Sequence, residues 1–188
     1  MRHAQVALHG DDGDDKARRF RVAALPYLDD VYTLARYLLR NPADAEDAAQ
    51  ECYLRAFRHF ETFRGGPIKP WLLAILRNVC RAEYARRGAA ALHAVSLDDA
   101  EDRVDGLWST AAASPEEHTL GRFDGETVRR LIAGLPDQFR ETLVLREIND
   151  LSYREIADVT GTPVGTVMSR LARARAMLRD AWIAEEKR

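Results

Sequence analysis

The sequence lacks the features that mark a metal-binding, secreted or membrane-inserted protein. Its 188 residues include only two cysteines, Cys52 and Cys80, without the paired spacing of a zinc or redox site, and its five histidines show no ligand spacing. No run approaches the roughly 18 apolar residues that cross a bilayer, and the acidic N-terminal stretch has no signal-peptide apolar segment. We therefore expect no metal or other cofactor, no stable membrane insertion and a cytoplasmic location.

Signatures of catalysis are also missing. The sequence contains no Gly-rich phosphate loop, nucleophile elbow or paired-carboxylate site, so an enzyme is the least favoured class. Both cysteines have apolar neighbours, and free cysteine is among the most buried residue types, which predicts buried thiols. With 46% apolar residues and a net charge of −2, the composition is that of a folded protein.

Charge and apolar spacing divide the chain. Residues 88–124 are net acidic, contain runs of alanine and scatter their apolar residues, which is typical of a linker. Residues 20–87 and 125–188 carry apolar residues at helical spacing and almost no alternating strand pattern. Residues 1–19 show no periodicity and are expected to form a disordered tail. The prediction is an all-α protein with two small helical domains joined by an acidic linker.

Two helices are predicted on either side of Asn41-Pro42. Proline disfavours helix in the residue before it, so a helix over 28–40 should end there, and Asn41 should cap a second helix that has Pro42 at its first position. This second helix has a core-facing stripe, but Leu54 falls on its opposite, charged face. An exposed leucine ringed by charges is typical of a small partner-binding patch. A solvated face with one stray leucine explains the pattern equally well.

A basic helix is predicted after the Gly- and Pro-rich loop at residues 65–70. Arg77, Asn78 and Arg81 fall on one side of this helix, with Tyr84 at the margin. Arginine neutralises phosphate and aromatic rings stack on unpaired bases, so this side suits a nucleic-acid strand. Arginines also occur near helix C-termini because cations favour that end of the dipole, so the pattern leaves both explanations open.

A helix-turn-helix is predicted within residues 151–179. Ser152 and Glu155 have the spacing of a capping box, which starts one helix, and Gly161 ends it. Thr162 and Pro163 are predicted as the N-cap and the first residue of the next helix. Two helices joined by three residues that include glycine form a helix-turn-helix.

The second of these helices has the pattern of a DNA-reading helix. Its buried stripe is expected to consist of Val164, Val167, Leu171, Ala174 and Leu178. Its opposite face presents Gly165, Thr166, Ser169, Ala172 and Arg173, flanked by Arg170 and Arg175. Residues 163–179 contain four arginines and no acid, so the local potential is positive. Small residues allow close approach to a major groove, and DNA is the expected ligand.

Taken together, the two helical regions resemble those of an extracytoplasmic-function sigma factor, a small member of the main bacterial sigma family. The segment Asp44-Ala-Glu-Asp-Ala-Ala-Gln-Glu-Cys-Tyr-Leu-Arg-Ala-Phe is similar to its region-two helix. Phe63-Arg-Gly followed by Trp71-Leu-Leu-Ala-Ile-Leu-Arg-Asn is similar to its promoter-melting segment. Leu151-Ser-Tyr-Arg-Glu-Ile-Ala through Pro163-Val-Gly-Thr-Val-Met-Ser-Arg-Leu-Ala-Arg-Ala-Arg is similar to its region-four helix-turn-helix. Met168 departs from the pattern, because many relatives carry Arg or Lys there.

The resemblance implies a transcription initiation factor with three interaction surfaces. Binding to the clamp helices of the RNA polymerase core falls to Asp47, Gln50, Glu51, Leu54 and Arg55. Binding to the melted minus-ten strand of promoter DNA falls to Lys69, Arg77, Asn78, Arg81 and Tyr84. Contact with the minus-thirty-five duplex falls to Arg146, Tyr153, Arg154, Thr162, Pro163, Gly165, Thr166, Ser169, Arg170 and Arg173. The resemblance also implies control by an anti-sigma factor.

Two other functions remain open from the sequence. A sigma-like decoy that titrates an anti-sigma factor would use the region-two face but would not explain the arginines after Pro163. A stand-alone helix-turn-helix regulator would bind duplex DNA tightly in the absence of polymerase.

Overall fold

The structure, a computed structural model, describes residues 10–91, here called the first unit, and residues 125–187, called the second unit. All regular elements of these two ranges are helical, which confirms the predicted all-α fold. The α-helices are, in chain order, α1 (Gly10–Ala24), α2 (Leu28–Leu39), α3 (Pro42–His59), α4 (Ile68–Ala91), α5 (Gly125–Gly134), α6 (Asp137–Glu147), α7 (Tyr153–Thr160) and α8 (Val164–Glu186). Single 3-10 turns, Leu25–Tyr27 and Phe60–Thr62, precede α2 and follow α3.

The first unit is built on α2, α3 and α4, which pack against one another. Leu34 of α2 and Leu72 and Leu76 of α4 are fully buried, while α3 contributes small side chains such as Ala45 and Cys52. The small side chains let the neighbouring helices approach α3 closely, and the leucines fill the space between them.

The start of α3 follows the prediction. Oδ1 of Asn41 accepts hydrogen bonds from the backbone N–H groups of Ala43 at 2.9 Å and Asp44 at 3.4 Å, and Pro42 is the first helical residue. α2 ends at Leu39, and the next residue, Arg40, has a positive φ of 61°. The prediction that Asn41-Pro42 separates two helices is confirmed.

The predicted disordered tail is wrong for residues 10–19, which form most of α1. This helix is anchored by Phe20, whose ring lies edge-on to three aromatic rings, those of Tyr53, Phe57 and Phe60, at centroid distances of 6.2, 5.3 and 5.2 Å. Lys16 adds a contact, because its Nζ lies 5.0 Å from the centroid of the Phe57 ring. The anchoring partners are more than 30 residues away, so local periodicity could not show them.

The first unit also extends further than the predicted boundary at residue 87. α4 continues through Gly88 and the alanines that follow it to Ala91. Alanine is the strongest helix former, so a run of alanines continues a helix that has already begun. The remainder of the predicted linker, residues 92–124, lies outside the described ranges.

The predicted helix-turn-helix is present as α7 and α8. Oγ of Ser152 accepts a hydrogen bond from the Glu155 N–H at 3.3 Å, and the Glu155 carboxylate accepts one from the Ser152 N–H at 2.8 Å, which completes the capping box. Gly161 ends α7 in the left-handed region, with φ of 68°, where a residue without Cβ carries no steric cost. The predicted start and end of α7 are both confirmed.

The start of α8 differs by one residue from the prediction. α8 begins at Val164, so Pro163 occupies the N-cap position and Thr162 lies before it without capping the helix. The Thr162 hydroxyl instead lies 2.8 Å from the Thr160 hydroxyl, across the turn. Thr162 therefore holds the turn together rather than the first turn of α8.

The two units pack against each other. α4 contacts α7, and α2 contacts α6. The buried residues of both units form one continuous cluster. α4, the helix predicted to hold single-stranded DNA, therefore shares an interface with the second unit.

Candidate nucleic-acid and protein interfaces

The exposed face of α8 contains the residues predicted to approach duplex DNA. Its inner side is buried through Val167, Leu171 and Ala174. The predicted face residues Gly165, Ser169 and Arg173 are exposed, as are Pro163 and Ala172, while Thr162, Thr166 and Arg170 are half-buried. The prediction for Val164 is wrong, because this residue is 41% exposed and not part of the buried stripe. It is the first residue of α8.

The residues predicted to contact the DNA backbone differ in how accessible their side chains are. Arg146 donates a hydrogen bond to the Leu151 carbonyl at 2.8 Å, and its guanidinium lies 5.3 Å from the centroid of the Tyr153 ring. These contacts fix the start of α7 against the end of α6. Arg154 is exposed. Of these three residues, Arg146 and Tyr153 position the helix-turn-helix, and Arg154 is the one directed to solvent.

The residues predicted for the minus-ten strand are only partly accessible. Asn78 and Arg81 of α4 are exposed. Nζ of Lys69 lies 2.8 Å from the Asp30 carboxylate, and the hydroxyl of Tyr84 donates a hydrogen bond to the Leu38 carbonyl. Burial raises the pKa of Tyr84, which keeps its hydroxyl protonated as a donor.

Arg77 is bound by the second unit. Its Nε lies 2.7 Å from Oε1 of Glu141 in α6, and the two side chains are only 14% and 12% exposed. A charged pair with so little exposure is held in one geometry and is shielded from salt. The described arrangement therefore keeps one predicted minus-ten contact away from DNA.

A second link between the units was not predicted from the sequence. Asn149, after α6, is fully buried, and its Nδ2 donates at 3.2 Å to both the backbone carbonyl and the carboxylate of Asp30. Asp30 also pairs with Lys69, so one carboxylate connects α2, α4 and the second unit. The pair is separated by 119 positions, and no local pattern in the sequence marks it.

Leu54 and the charged residues around it form an exposed patch on α3, as the helical periodicity predicted. Leu54 is 53% exposed, and Asp47 and Gln50 beside it are also exposed. Nε of Arg55 donates to the Glu51 carboxylate at 2.6 Å, which holds this i, i+4 pair next to the leucine. A shallow groove between α1 and α3 continues the apolar surface, lined by Ala17, Phe20, Arg21, Leu25, Gln50, Tyr53, Leu54 and Phe57. The patch is larger than the single leucine that the sequence indicated.

The cysteines are buried thiols, as predicted. Burial raises the pKa of both Cys52 and Cys80 to about 12, so neither forms a thiolate near neutral pH. Among the residues that the structure describes, no group of three or more His, Cys, Asp or Glu side chains is arranged to hold a metal ion. Within the same residues, no helix is both long and apolar enough to span a membrane.

Comparison with known protein families matches both units. Residues 24–90 match the family model described as Sigma-70 region 2, and residues 125–178 match the one described as Sigma-70, region 4. These segments hold, respectively, the α3 patch with the basic face of α4, and the helix-turn-helix.

Similar proteins cover most of the chain. It is 36% identical to the ECF RNA polymerase sigma factor SigE of Mycolicibacterium smegmatis over 154 residues, which are 82% of this chain and 58% of that protein. It is 33% identical to the ECF RNA polymerase sigma-E factor of Haemophilus influenzae over 171 residues, 89% of this chain and 88% of that protein. The chain thus spans little more than half of the first relative and most of the second.

A solved structure is also similar. The sigma factor RpoE of Bartonella quintana, crystallised in complex with the anti-sigma factor NepR, superposes with a TM-score of 0.68 at 26% identity. The superposition covers 87% of this chain and 96% of that one, so it includes helices of both units.

Proposed function

Because the chain belongs to the extracytoplasmic-function family of RNA polymerase sigma factors, we propose that it binds the RNA polymerase core and directs initiation at specific promoters. The observation that carries this function is the presence, in one chain, of an exposed helix-turn-helix face and a separate apolar patch on α3. The first surface suits duplex DNA and the second suits a protein. In this role the polymerase, and not this chain, forms the bonds of the transcript. The chain acts in the cytoplasm.

We assign minus-thirty-five recognition to the exposed face of α8. Gly165 and Ser169 lie on its accessible side, and their small side chains let the helix backbone approach base edges. Arg173 is the long donor on this side, suited to guanine or phosphate, and we assign contacts with phosphates to Arg154 and Arg170. Arg146 and Tyr153 hold the start of α7 against the end of α6 by the contact that they make with each other.

We assign the melted minus-ten strand to the basic side of α4. Asn78 and Arg81 are accessible, which supports a first contact with the strand. Arg77 joins them only when its ion pair with Glu141 breaks, because a guanidinium enclosed against a carboxylate cannot bind phosphate or stack on a base. Engagement of the single strand by Arg77 as well as Asn78 and Arg81 therefore requires α6 to move away from α4.

We assign polymerase docking to the α3 patch. An exposed leucine surrounded by charged residues has the composition of a protein interface, with an apolar centre and a polar rim. The Glu51–Arg55 pair holds two of the rim side chains in place before the partner arrives. Leu54 is then expected to be one of the few side chains that dominate the binding free energy, because it lies at the apolar centre of the patch.

The test is run-off transcription from a pool of promoters with purified core polymerase, with and without this protein. We expect transcripts whose templates share two spaced upstream elements. In the variant with Glu51→Ala and Leu54→Ala, transcription should fall at least tenfold, since a dominant interface side chain contributes about 2 kcal/mol or more and 1.4 kcal/mol is a factor of ten. The variant should keep its helical circular dichroism, because Leu54 is exposed and makes no core contact.

A matched control is Ile183→Ala, which removes another exposed apolar side chain, on α8 in the second unit. It should transcribe as the native protein does. Full activity of the double variant would remove the α3 patch from the docking surface. Absence of transcripts from a folded protein that binds polymerase would favour the decoy, and tight duplex binding without polymerase would favour a stand-alone regulator.

We also propose an anti-sigma factor as a partner, supported by the similarity to a sigma factor solved in complex with one. The test is to purify the tagged chain with its native partner and identify that partner by mass spectrometry. Added back in equimolar amount, the partner should suppress run-off transcription, and a co-purified protein that leaves transcription unchanged is not an anti-sigma factor.

A further inference from the structure

An apolar row lies on the exposed surface of α8. Met168 is 53% exposed, and Val164 and Ala172, one turn away on either side, are exposed too. Residues four apart are neighbours on a helix, so these three form one row. The other large apolar residues of the recognition part of this helix, Val167 and Leu171, are buried. Met168 is therefore a large apolar side chain that the fold itself does not use.

The surroundings of Met168 indicate DNA as its binding partner. The row runs beside Gly165 and Ser169, whose small side chains leave room for the longer methionine to extend. Arg170 and Arg173, on the same turns of the helix, provide the positive charge that draws this face toward phosphates. A thioether has no hydrogen to donate, so Met168 can bind neither phosphate nor the acceptor atoms of guanine.

We propose that Met168 is a specificity-determining residue that contacts the C5-methyl group of a thymine in the minus-thirty-five element. In the major groove, the thymine methyl is the apolar group by which a base pair is distinguished, and apolar side chains recognise it by contact. Methionine is unbranched and polarisable, so it can adapt to a methyl group at the floor of the groove. The inference rests on the proposed function, since it requires α8 to enter the minus-thirty-five groove.

The test uses the holoenzyme formed by the full chain with core polymerase, and a promoter selected in the run-off experiment. Each thymine of its minus-thirty-five element is replaced in turn by uracil, which removes the methyl group and leaves every hydrogen-bonding atom in place. At one position, uracil should weaken holoenzyme binding by about fourfold, the effect of one buried methyl-sized group. In Met168→Ala the same replacement should have no effect, while Met168→Leu should keep a thymine preference.

A matched control is Met177→Ala, which removes an exposed methionine on the side of α8 away from the row. It should keep the full difference between thymine and uracil. The proposal is overturned if no uracil replacement weakens binding, or if Met168→Ala keeps the native difference. A holoenzyme that shows no dependence on the minus-thirty-five duplex would instead contradict the proposed function, so the two failures are distinguishable.

Discussion

Removal of the Glu141 carboxylate is expected to separate the two units. In the described arrangement Glu141 is the partner of Arg77, at 2.7 Å and with both side chains largely buried. Glu141→Ala leaves the Arg77 guanidinium enclosed without its counter-charge. The packed state then loses stability, while the separated state, in which Arg77 is hydrated, does not.

The magnitude follows from burial. Deleting one partner of a buried ion pair costs about 3–5 kcal/mol, and the lower value applies here because both side chains keep some exposure. Since each 1.4 kcal/mol is a factor of ten, about 3 kcal/mol raises the ratio of separated to packed molecules roughly 100-fold. Apparent affinity for a single-stranded minus-ten oligonucleotide should rise by the same factor until the separated state dominates.

The assay is energy transfer between dyes on cysteines introduced at Ala43 and Ala184, which are exposed positions in different units. The native thiols are disfavoured as labelling sites while the units are packed, because both are buried and burial raises their pKa to about 12. Oligonucleotide binding is measured in parallel by fluorescence anisotropy. In Glu141→Ala, oligonucleotide affinity should rise, and energy transfer should fall in proportion to the fraction of separated molecules.

The matched control is Glu147→Ala, which removes the partner of Arg175 in an exposed pair of 2.6 Å within the second unit. Exposed pairs contribute about 0–1 kcal/mol, and this one does not join the units, so transfer and oligonucleotide affinity should stay at native values. If Glu141→Ala leaves both readouts unchanged as well, the Arg77–Glu141 pair does not hold the units together and the reasoning is refuted.

Two further predictions concern the second unit. Ser152→Ala removes the N-cap acceptor of α7 and should lower the free energy of unfolding by about 1 kcal/mol in urea titrations near neutral pH. Hydrogen bonds from Ser152 hold the pKa of Glu155 below its ordinary 4.5, so their stabilisation is complete above that pH and is lost as the pH falls below it; a native-to-variant difference that grows on acidification would contradict this assignment. Arg173→Ala should weaken minus-thirty-five binding by about 1–3 kcal/mol in competition titrations if this side chain reads a base. Unchanged affinity and unchanged sequence preference would exclude Arg173 from the contact surface.

Features that depend on neighbours in sequence were predictable. The caps at Asn41 and Ser152 and the left-handed Gly161 each involve atoms within about four residues, where local chemistry decides the outcome. The exposure of Leu54 also followed from helical periodicity, because its position on α3 opposes the core stripe. For these elements the sequence and the structure give the same account.

Features that depend on distant partners were not predictable. α1 forms because Phe20 meets aromatic residues of α3 and of the turn after it, and the periodicity of residues 1–19 contains no trace of that contact. The pairs Arg77–Glu141 and Asn149–Asp30 join residues 64 and 119 positions apart. The sequence predicted a basic face on α4. It did not predict that this face is paired with carboxylates, because only the tertiary structure brings those acidic residues next to it.

The basic faces of α8 and α4 differ in accessibility, and under the proposed function this difference implies an order of promoter binding. The face of α8 to which we assign duplex recognition is exposed while the units are packed, so the proposed contact with duplex DNA requires no rearrangement. Lys69 and Arg77 are paired with carboxylates in the same state, and Arg77 becomes available only when α6 leaves α4. Under the proposed function, we therefore expect duplex recognition by the second unit to precede strand capture by the first. A partner that separates the units is then expected to raise affinity for the melted strand without contacting it, because it stabilises the state in which Arg77 is released from Glu141. If the polymerase docks at Leu54 as proposed, it is a candidate for this role.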